Sequence, residues 1–485
     1  MSAQGQATSA AAAAGLGQHS PVAASTRKRV LRVVFISLLL DLISFTFILP
    51  LFPSLLEFYR NSEATAGGAE SKTLLASILG YLNAYKAAFA RPIDSRYDIV
   101  LLGGALGSLF SLLQAVASPV IGHLSDCYGR RTALLASMAG NVLSVLLWVM
   151  AVDFRTFLAS RVVGGLSEGN VQLATAIATD ISDEGSRGAT MALIGACFSI
   201  AFTFGPALGA FLSTISLVAA NPFAAAAAVS LLLIVTETIF LYVCLPETLP
   251  ALTRKTEDAT KKTPPPPPPQ QQQQHPNGTG AAPPVAPPVQ RTNAHVLLNL
   301  VHMTFLLFFS GMEFSLPFMT YDLFGYSAAQ NGRLLGYVGL VASVLQGGVT
   351  RRLPPLLSVR VGVVACLVAF ALLSRLSTVP ALYAAATGLA VTSATVVTGL
   401  NALSSFEAGE AERGGKLGVL RSWGQLGRGL GPVLFTTVYW WAGREVAYGL
   451  GAAGMLAVAS LVFLQLQTPL GAERRRVNGE AKKEL

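Results

Sequence analysis

The chain has 485 residues, 52% of them hydrophobic and only 12% charged, with a mean hydropathy of +0.55 and a formal charge of +9. A soluble protein carries roughly 25% charged residues, because it must cover its surface with them. Half that supply excludes a soluble enzyme, a nucleic-acid binder and a disordered scaffold as readings of the whole chain. A polytopic, all-α membrane protein fits. The surplus positive charge lies in short clusters between apolar runs, which is the pattern of cytoplasmic loops rather than of a nucleic-acid face.

Residues 1–29 are rich in Ala, Gly, Ser and Gln and hold no apolar h-region, so they read as a disordered cytoplasmic tail and not as a cleaved signal peptide. A membrane span needs roughly 20 mostly apolar residues. Twelve segments qualify, at 33–56, 99–121, 132–152, 155–180, 189–213, 223–245, 296–318, 332–350, 361–377, 380–402, 417–440 and 446–467. They group into a first six-helix bundle at 30–250 and a second at 296–467, with a cytoplasmic tail at 468–485. Between the bundles, 251–295 holds the runs Pro264 to Pro269 and Gln270 to Gln274 and reads as a disordered, extended linker.

Orientation follows from Lys and Arg. With the amino terminus inside, the inner segments hold Arg27-Lys28-Arg29, Arg130-Arg131, Arg254-Lys255, Arg351-Arg352 and Arg474-Arg475-Arg476. The first outer loop, 57–98, is the exception, and its basic residues are balanced by acidic ones. Both termini are therefore expected in the cytoplasm. The acceptor triplet at Asn277 then faces the cytoplasm and should stay bare.

The halves read as a tandem duplication. Residues 102–114 match 334–346 at six of thirteen positions, among them Gln114 with Gln346, and Gly205-Pro206 matches Gly431-Pro432 at nearly the same offset. Six spans per copy is an even number, so the copies share one orientation. They are expected to be related by a pseudo-twofold along the membrane normal, a transporter's architecture.

Between spans two and three lies Gly122-His123-Leu124-Ser125-Asp126-Cys127-Tyr128-Gly129-Arg130-Arg131. The two glycines permit a tight turn and close helix approach, Asp126 can cap a neighbouring helix amino terminus, and Arg130 can pair with Asp180 at the end of span four. Span four carries Arg161-x-x-x-Gly165-x-x-x-Gly169, with Glu168 seven residues beyond Arg161 and so on the same face of a continuous helix. An intramembrane Arg is costly and should face a partner or a wet cavity, or else hold neighbouring carbonyls. Span five contains Gly205, Pro206 and Gly209, and span eleven contains Gly431 and Pro432, which suit close packing and a bend.

These motifs resemble the major facilitator superfamily: its signature loop reads G-x-x-x-D-x-x-G-R-R, and its antiporter motif ends in G-P-x-x-G-G, where Ala210 here replaces the last Gly. The Pro246-Glu247-Thr248 ending of span six is similar to the drug/proton antiporter branch, which includes the bacterial tetracycline antiporters and their animal tetracycline-transporter-like relatives. The likeness runs over about 29–467, and the second half keeps only Arg351-Arg352 of the signature loop. It implies a gating latch at Gly122, Asp126, Gly129, Arg130, Arg131 and Asp180, and a central cavity lined by spans one, four, seven and ten.

The charges left inside apolar spans form the functional shortlist: Asp41, Arg161, Glu168, Glu313 and Arg428, as candidates for substrate binding or proton coupling. Glu237, in span six, falls on the periphery of that arrangement. His123 and His302 stand at span ends, where a lone His is ordinarily a solvated interfacial residue. No phosphate-binding loop, Ser/His/Asp set, CxxC or metal-ligand cluster is present, so no enzyme activity, cofactor or metal is expected. The expected partners are a small organic ion, the lipid bilayer and protons, with the chain acting as a monomer in the plasma membrane or an intracellular membrane. The expected function is secondary active transport by alternating access: acidic candidates suit an organic cation or drug exchanged for a proton, the arginines suit an amphiphilic organic anion, and the resemblance implies organic anions and drugs, with proton-coupled or exchange-type efflux. A non-transporting scaffold that uses the Pro run to bind partner domains is the alternative of another class.

Overall fold

In the computed structural model, residues 24–66, 73–89, 98–212, 215, 221–250, 252–253 and 291–469 are described. Nearly all of the chain expected to be tail or linker, including the Pro and Gln runs and Asn277, lies outside them.

The described residues are helical at each predicted span. The order is α1 (Ala24–Thr46), α2 (Ile48–Ala66), α3 (Leu74–Ala87), α4 (Asp98–Tyr128), α5 (Arg130–Val149), α6 (Phe154–Ser167), α7 (Asn170–Asp180), α8 (Arg187–Leu212) and α9 (Ala224–Cys244) in the first half. The second half holds α10 (His295–Phe324), α11 (Ala328–Gly348), a 3-10 turn (Thr350–Arg352), α12 (Pro355–Ser374), α13 (Val379–Glu407), α14 (Arg413–Ala442) and α15 (Arg444–Leu464). Nine helices among the described residues are each long and apolar enough to cross a membrane: α4, α5, α8 to α13 and α15, with α11 taken through its 3-10 turn. The predicted spans outside that set are the broken or charged ones: span one, interrupted between α1 and α2; span four, split into α6 and α7; and span eleven, α14, which carries Arg421 and Arg428.

Two readings of the chain's ends and loops are corrected. The first helix begins at Ala24, so Arg27 to Arg29 belong to α1 rather than to a tail, because nothing between Ser25 and Val30 breaks a helix. The outer stretch read as a loop is partly helical: α2 continues to Ala66, and α3 is a separate helix whose amino terminus is capped by the Thr73 hydroxyl, accepting from Ala76 N at 3.1 Å.

Local chemistry sets several of the turns. A single residue, Gly129, joins α4 to α5 at a φ of 99°, which strains any residue with a Cβ. Asp153 caps α6 by accepting from Thr156 N at 2.7 Å, and Ser327 with Gln330 forms a capping box on α11.

Each half closes its own apolar core. One core runs from Val30 to Leu245 with Ala402 added, the other from Leu298 to Leu466. The halves meet along two seams, α4 against α14 and α8 against α11. Small residues let the backbones approach: a Cβ on Gly122 would overlap the Gly414 carbonyl, and one on Gly418 would meet the Ser118 carbonyl at 2.5 Å. The repeat-related glutamines stand one on each seam. Gln114 Oε1 accepts from Arg421 at 3.4 Å, and Gln346 Oε1 accepts from Ser199 at 2.6 Å.

Candidate substrate and coupling site

At one end of the α4–α14 seam the signature loop forms a network that crosses between the halves. Asp126 accepts from the backbone N–H of Gly414 at 2.9 Å and of Gly415 at 2.6 Å, satisfying donors left open in the first turn of α14. Arg130 is fully buried and donates to Asp126 at 2.6 Å, to Ser125 at 2.7 Å and to Asp180 at 2.8 Å. Asp180 also accepts from Arg413 of the second half at 2.7 Å. Glu247, the acid of the Pro-Glu-Thr run, accepts from the N–H of Arg130 at 2.9 Å and of Arg131 at 3.2 Å, so it caps α5. Arg131 itself turns outward to the Tyr242 carbonyl at 2.6 Å.

Contacts also cross at the opposite end. The Tyr85 hydroxyl of α3 lies 2.7 Å from Thr437 Oγ1, Phe89 stands 6.0 Å from Trp440, and Phe318 stands 5.8 Å from Trp440 on its other side. Deeper along α4, Gly104 leaves just enough room for the Phe314 ring. The two halves are therefore in contact at both ends.

Between these ends, the first half holds a chamber of about 40 Å³, lined by the polar Asp41, Asn141, Ser144, Arg161, Glu168 and Ser230 and by apolar side chains such as Phe45, Phe110 and Trp148. That is room for about one water, not for an organic ion. Span four unwinds here. α6 ends at Ser167, Glu168 adopts ψ 87°, and α7 restarts at Asn170. The expectation of one continuous helical face from Arg161 to Glu168 is thus corrected: the helix breaks at Glu168–Gly169, yet both side chains line the chamber. Asn141 donates to Glu168 at 3.2 Å and accepts from Ser167 at 3.0 Å, holding the break open.

Arg161 makes no ion pair among the described residues. Its guanidinium donates to Ser160 Oγ at 3.0 and 3.2 Å and lies 5.4 Å over Phe157 and 5.9 Å over Trp148. Asp41 is 3% exposed, with the buried amide of Asn170 beside it and both Glu168 and Arg421 within electrostatic reach. Glu237 joins the same group from α9: it accepts from Ser37 at 2.6 Å and acts on Asp41.

The other shortlisted residues lie elsewhere. Glu313 is exposed, because α10 buries Phe305, Phe309, Met312, Leu316 and Met319 on its packed face. Arg428 is half-buried, two turns along α14 from Arg421. The small residues of spans five and eleven serve close packing. Gly209 abuts the Phe47 backbone at the α1–α2 break, Gly205 abuts Thr46, and Gly431 abuts Ser310 and the Leu307 carbonyl, with Pro206 and Pro432 inside their helices.

Arg421 and Arg413 were not singled out from sequence, and Gln114 only as the repeat partner of Gln346. The reading of His302 as solvated is corrected: it is 4% exposed, bonded through Nδ1 to the Leu420 carbonyl at 2.9 Å, and fits only because Gly424 leaves its ring space.

The family model for the Major Facilitator Superfamily matches residues 34–432. The chain belongs to the major facilitator superfamily. The mouse major facilitator superfamily domain-containing protein 10 is 34% identical over 449 residues, covering 92% of this chain and 94% of that protein. The crystal structure of the human organic anion transporter MFSD10 superposes with a TM-score of 0.76 at 31% identity, covering 90% of this chain and 99% of that one. A class G tetracycline resistance protein from Vibrio anguillarum is 40% identical over 124 residues, 26% of this chain. Like other superfamily members, the chain is an integral, multi-pass membrane transporter, and its fold is theirs.

Proposed function

We propose that this chain is a secondary active transporter of amphiphilic organic ions, organic anions favoured, working by alternating access and coupled to protons. The observation that carries this reading is the carboxyl group set of Asp41 and Glu168, enclosed in the first half but facing Arg421 from the second. A buried carboxyl can exchange a proton, and here its counter-charge belongs to the other moving half. Protonation therefore bears on the contact between halves, which is what alternating access must change.

The 40 Å³ chamber suits a proton site, with Asp41, Glu168 and Arg161 around it, and Arg428 adds positive charge on the seam. The latch of Asp126, Arg130 and Asp180 then closes the cytoplasmic end, and Glu313 serves as a secondary candidate. Both termini are cytoplasmic in this reading, because the basic clusters at 27–29 and 130–131 fall on that side. The organic anion transporter that superposes on this chain supports the choice of anions. The acid pair keeps one second reading in view, an organic cation exchanged for a proton.

Uptake of labelled organic anions and cations into vesicles, with and without a pH gradient, tests the proposal. Flux of an anion that responds to the gradient is expected. Equal flux of both classes in protein-free vesicles would overturn it.

A further inference from the structure

Two turns of α14, from Gly418 to Gln425, hold two buried polar atoms with no hydrogen-bond partner among the described residues. Arg421 Nε and Gln425 Oε1 are buried and unpaired, and Arg421's one hydrogen bond, to Gln114, is long at 3.4 Å. Around them stand Asn170, 2% exposed with its amide beside Asp41, and Gln172, whose Oε1 is unpaired at 4% exposure. His302 Nε2 is unpaired as well, on the far side of the same turns. Leaving a buried polar group unsatisfied costs about 1–3 kcal/mol, more when charged, so several together mark a place that receives polar ligand atoms.

Arg421 is the charged centre of that place. The acidic groups facing it are Glu168 and Asp41, with Glu237 acting on Asp41 from behind. The cationic groups nearby are Arg428 on its own helix and Arg161 across the chamber, and His302 packs against the turn. One guanidinium therefore serves two carboxyl groups, and neither makes a direct hydrogen bond to it.

Resting on the proposed organic-anion transport, we propose that Arg421 anchors the anionic group of the substrate and that Glu168 and Asp41 hold this guanidinium when no substrate is bound. Anion and carboxylate then compete for one cation. When a carboxylate substrate docks on Arg421, the displaced carboxylate loses its counter-charge in a closed site and takes a proton from the open aqueous side. The loaded site keeps the charge of the empty one: one anion and one proton enter together. Asn170 and Gln114 supply the neutral donors that complete the anion's coordination. A cation carried at this place would have to sit beside Arg421, so the same residue sets the charge preference.

The test uses the purified full chain and three probes of one shape: 1-naphthoate, uncharged 1-naphthamide and the cation 1-naphthylmethylammonium. In lightly buffered detergent solution, naphthoate binding should take up about one proton per anion. Arg421→Gln should weaken naphthoate binding by about 10- to 100-fold, the range for loss of a charge-assisted bond, and leave naphthamide binding unchanged. The Asp41→Asn/Glu168→Gln double variant should bind naphthoate severalfold more tightly and take up no proton, a gain that misfolding cannot mimic.

Unchanged naphthoate affinity in Arg421→Gln, proton release on binding, or preference for the cation would overturn the proposal. Vesicle flux separates the two levels. Binding that depends on Arg421 without naphthoate flux sustains the site and removes the transport reading. Flux that ignores Arg421 removes the site and sustains the transport reading. Neither binding nor flux of naphthoate overturns both.

Discussion

At the scale of single residues, Asp126 carries the most consequence per atom. Its carboxylate accepts two N–H groups of α14 and one guanidinium N–H, and so joins the halves through the backbone of the second. Removing one partner of a buried, hydrogen-bonded charge pair costs about 3–5 kcal/mol, because the remaining groups stay buried without a counterpart. Asp126→Ala is expected to loosen this end of the seam. A cysteine introduced at the fully buried Ser118, just beyond the latch, reports it: maleimide labelling should rise severalfold in the variant. Unchanged labelling would mean that Arg413 and Asp180 alone keep the seam shut.

The pairing of Arg130 with Asp126 was legible because its spacing is local, the two lying four residues apart across the Gly129 turn. Arg421 was not. The predicted span eleven starts at 417, which leaves Arg421 near an interface; the helix starts at Arg413 and takes it two turns inward. Glu237 looked peripheral for a related reason: nothing in the sequence shows that α9 turns it toward Ser37 and Asp41.

Among the elements, the break between α6 and α7 does what a continuous helix could not. It frees backbone polar groups at mid-span, tolerable only beside protein or a wet cavity, and Asn141, Ser167 and the chamber supply that setting. Gly169 is part of its geometry, since a Cβ there would come within 2.6 Å of Ser137 Oγ and 2.7 Å of Ile121 Cγ2. Gly169→Ala adds about 1 kcal/mol of helix propensity and a steric push in the same place. Flux should fall at least severalfold while thermal stability changes little; full flux would show that the break is incidental. The sequence suggested a continuous helix here because 155–180 is apolar overall and holds no Pro to break it.

The helix α3 is the other element that the hydropathy pattern concealed, being too short at 14 residues to count as a span. It docks its Tyr85 and Phe89 rings against Trp440 of the second half and is tied to α4 by the Lys86–Asp98 ion pair. Aromatic pairs of this kind contribute about 0.5–1.5 kcal/mol each. Trp440→Ala should release α3, and trypsin cleavage after Lys86 should then accelerate severalfold over the parent chain. An unchanged cleavage rate would mean that the rings do not hold the helix.

For the whole molecule, the twofold plan is visible in the sequence through the paired glutamines, but its asymmetry is not. Both seams are built from repeat-related helices. Among the described residues, the α4–α14 seam places Arg421 within reach of Glu168 and Asp41, whereas midway along the α8–α11 seam the neutral Ser199 pairs with Gln346 and Arg187 stands at the amino end of α8, bonded to the Ser405 carbonyl. Duplication of a chain copies its helices, and later substitutions at single positions such as 421 make the copies differ. Periodicity and composition read the first of these well and the second hardly at all.

The separate closure of the two apolar cores reaches beyond transport. Each half buries most of its large apolar side chains within itself, and what it offers the other is small residues, hydroxyls, a few charges and the rings of Tyr85, Phe89, Phe314 and Trp440. The packing of the halves on each other then does not depend on their being one polypeptide; a covalent connection adds local concentration. Two polypeptides, 1–253 and 291–485, produced together in one cell should find each other in the bilayer and copurify through a tag on either piece. Recovery of only the tagged piece would show that the covalent connection is indispensable. The molecule behaves, in this sense, as an obligate pair of subunits that happens to be translated as one.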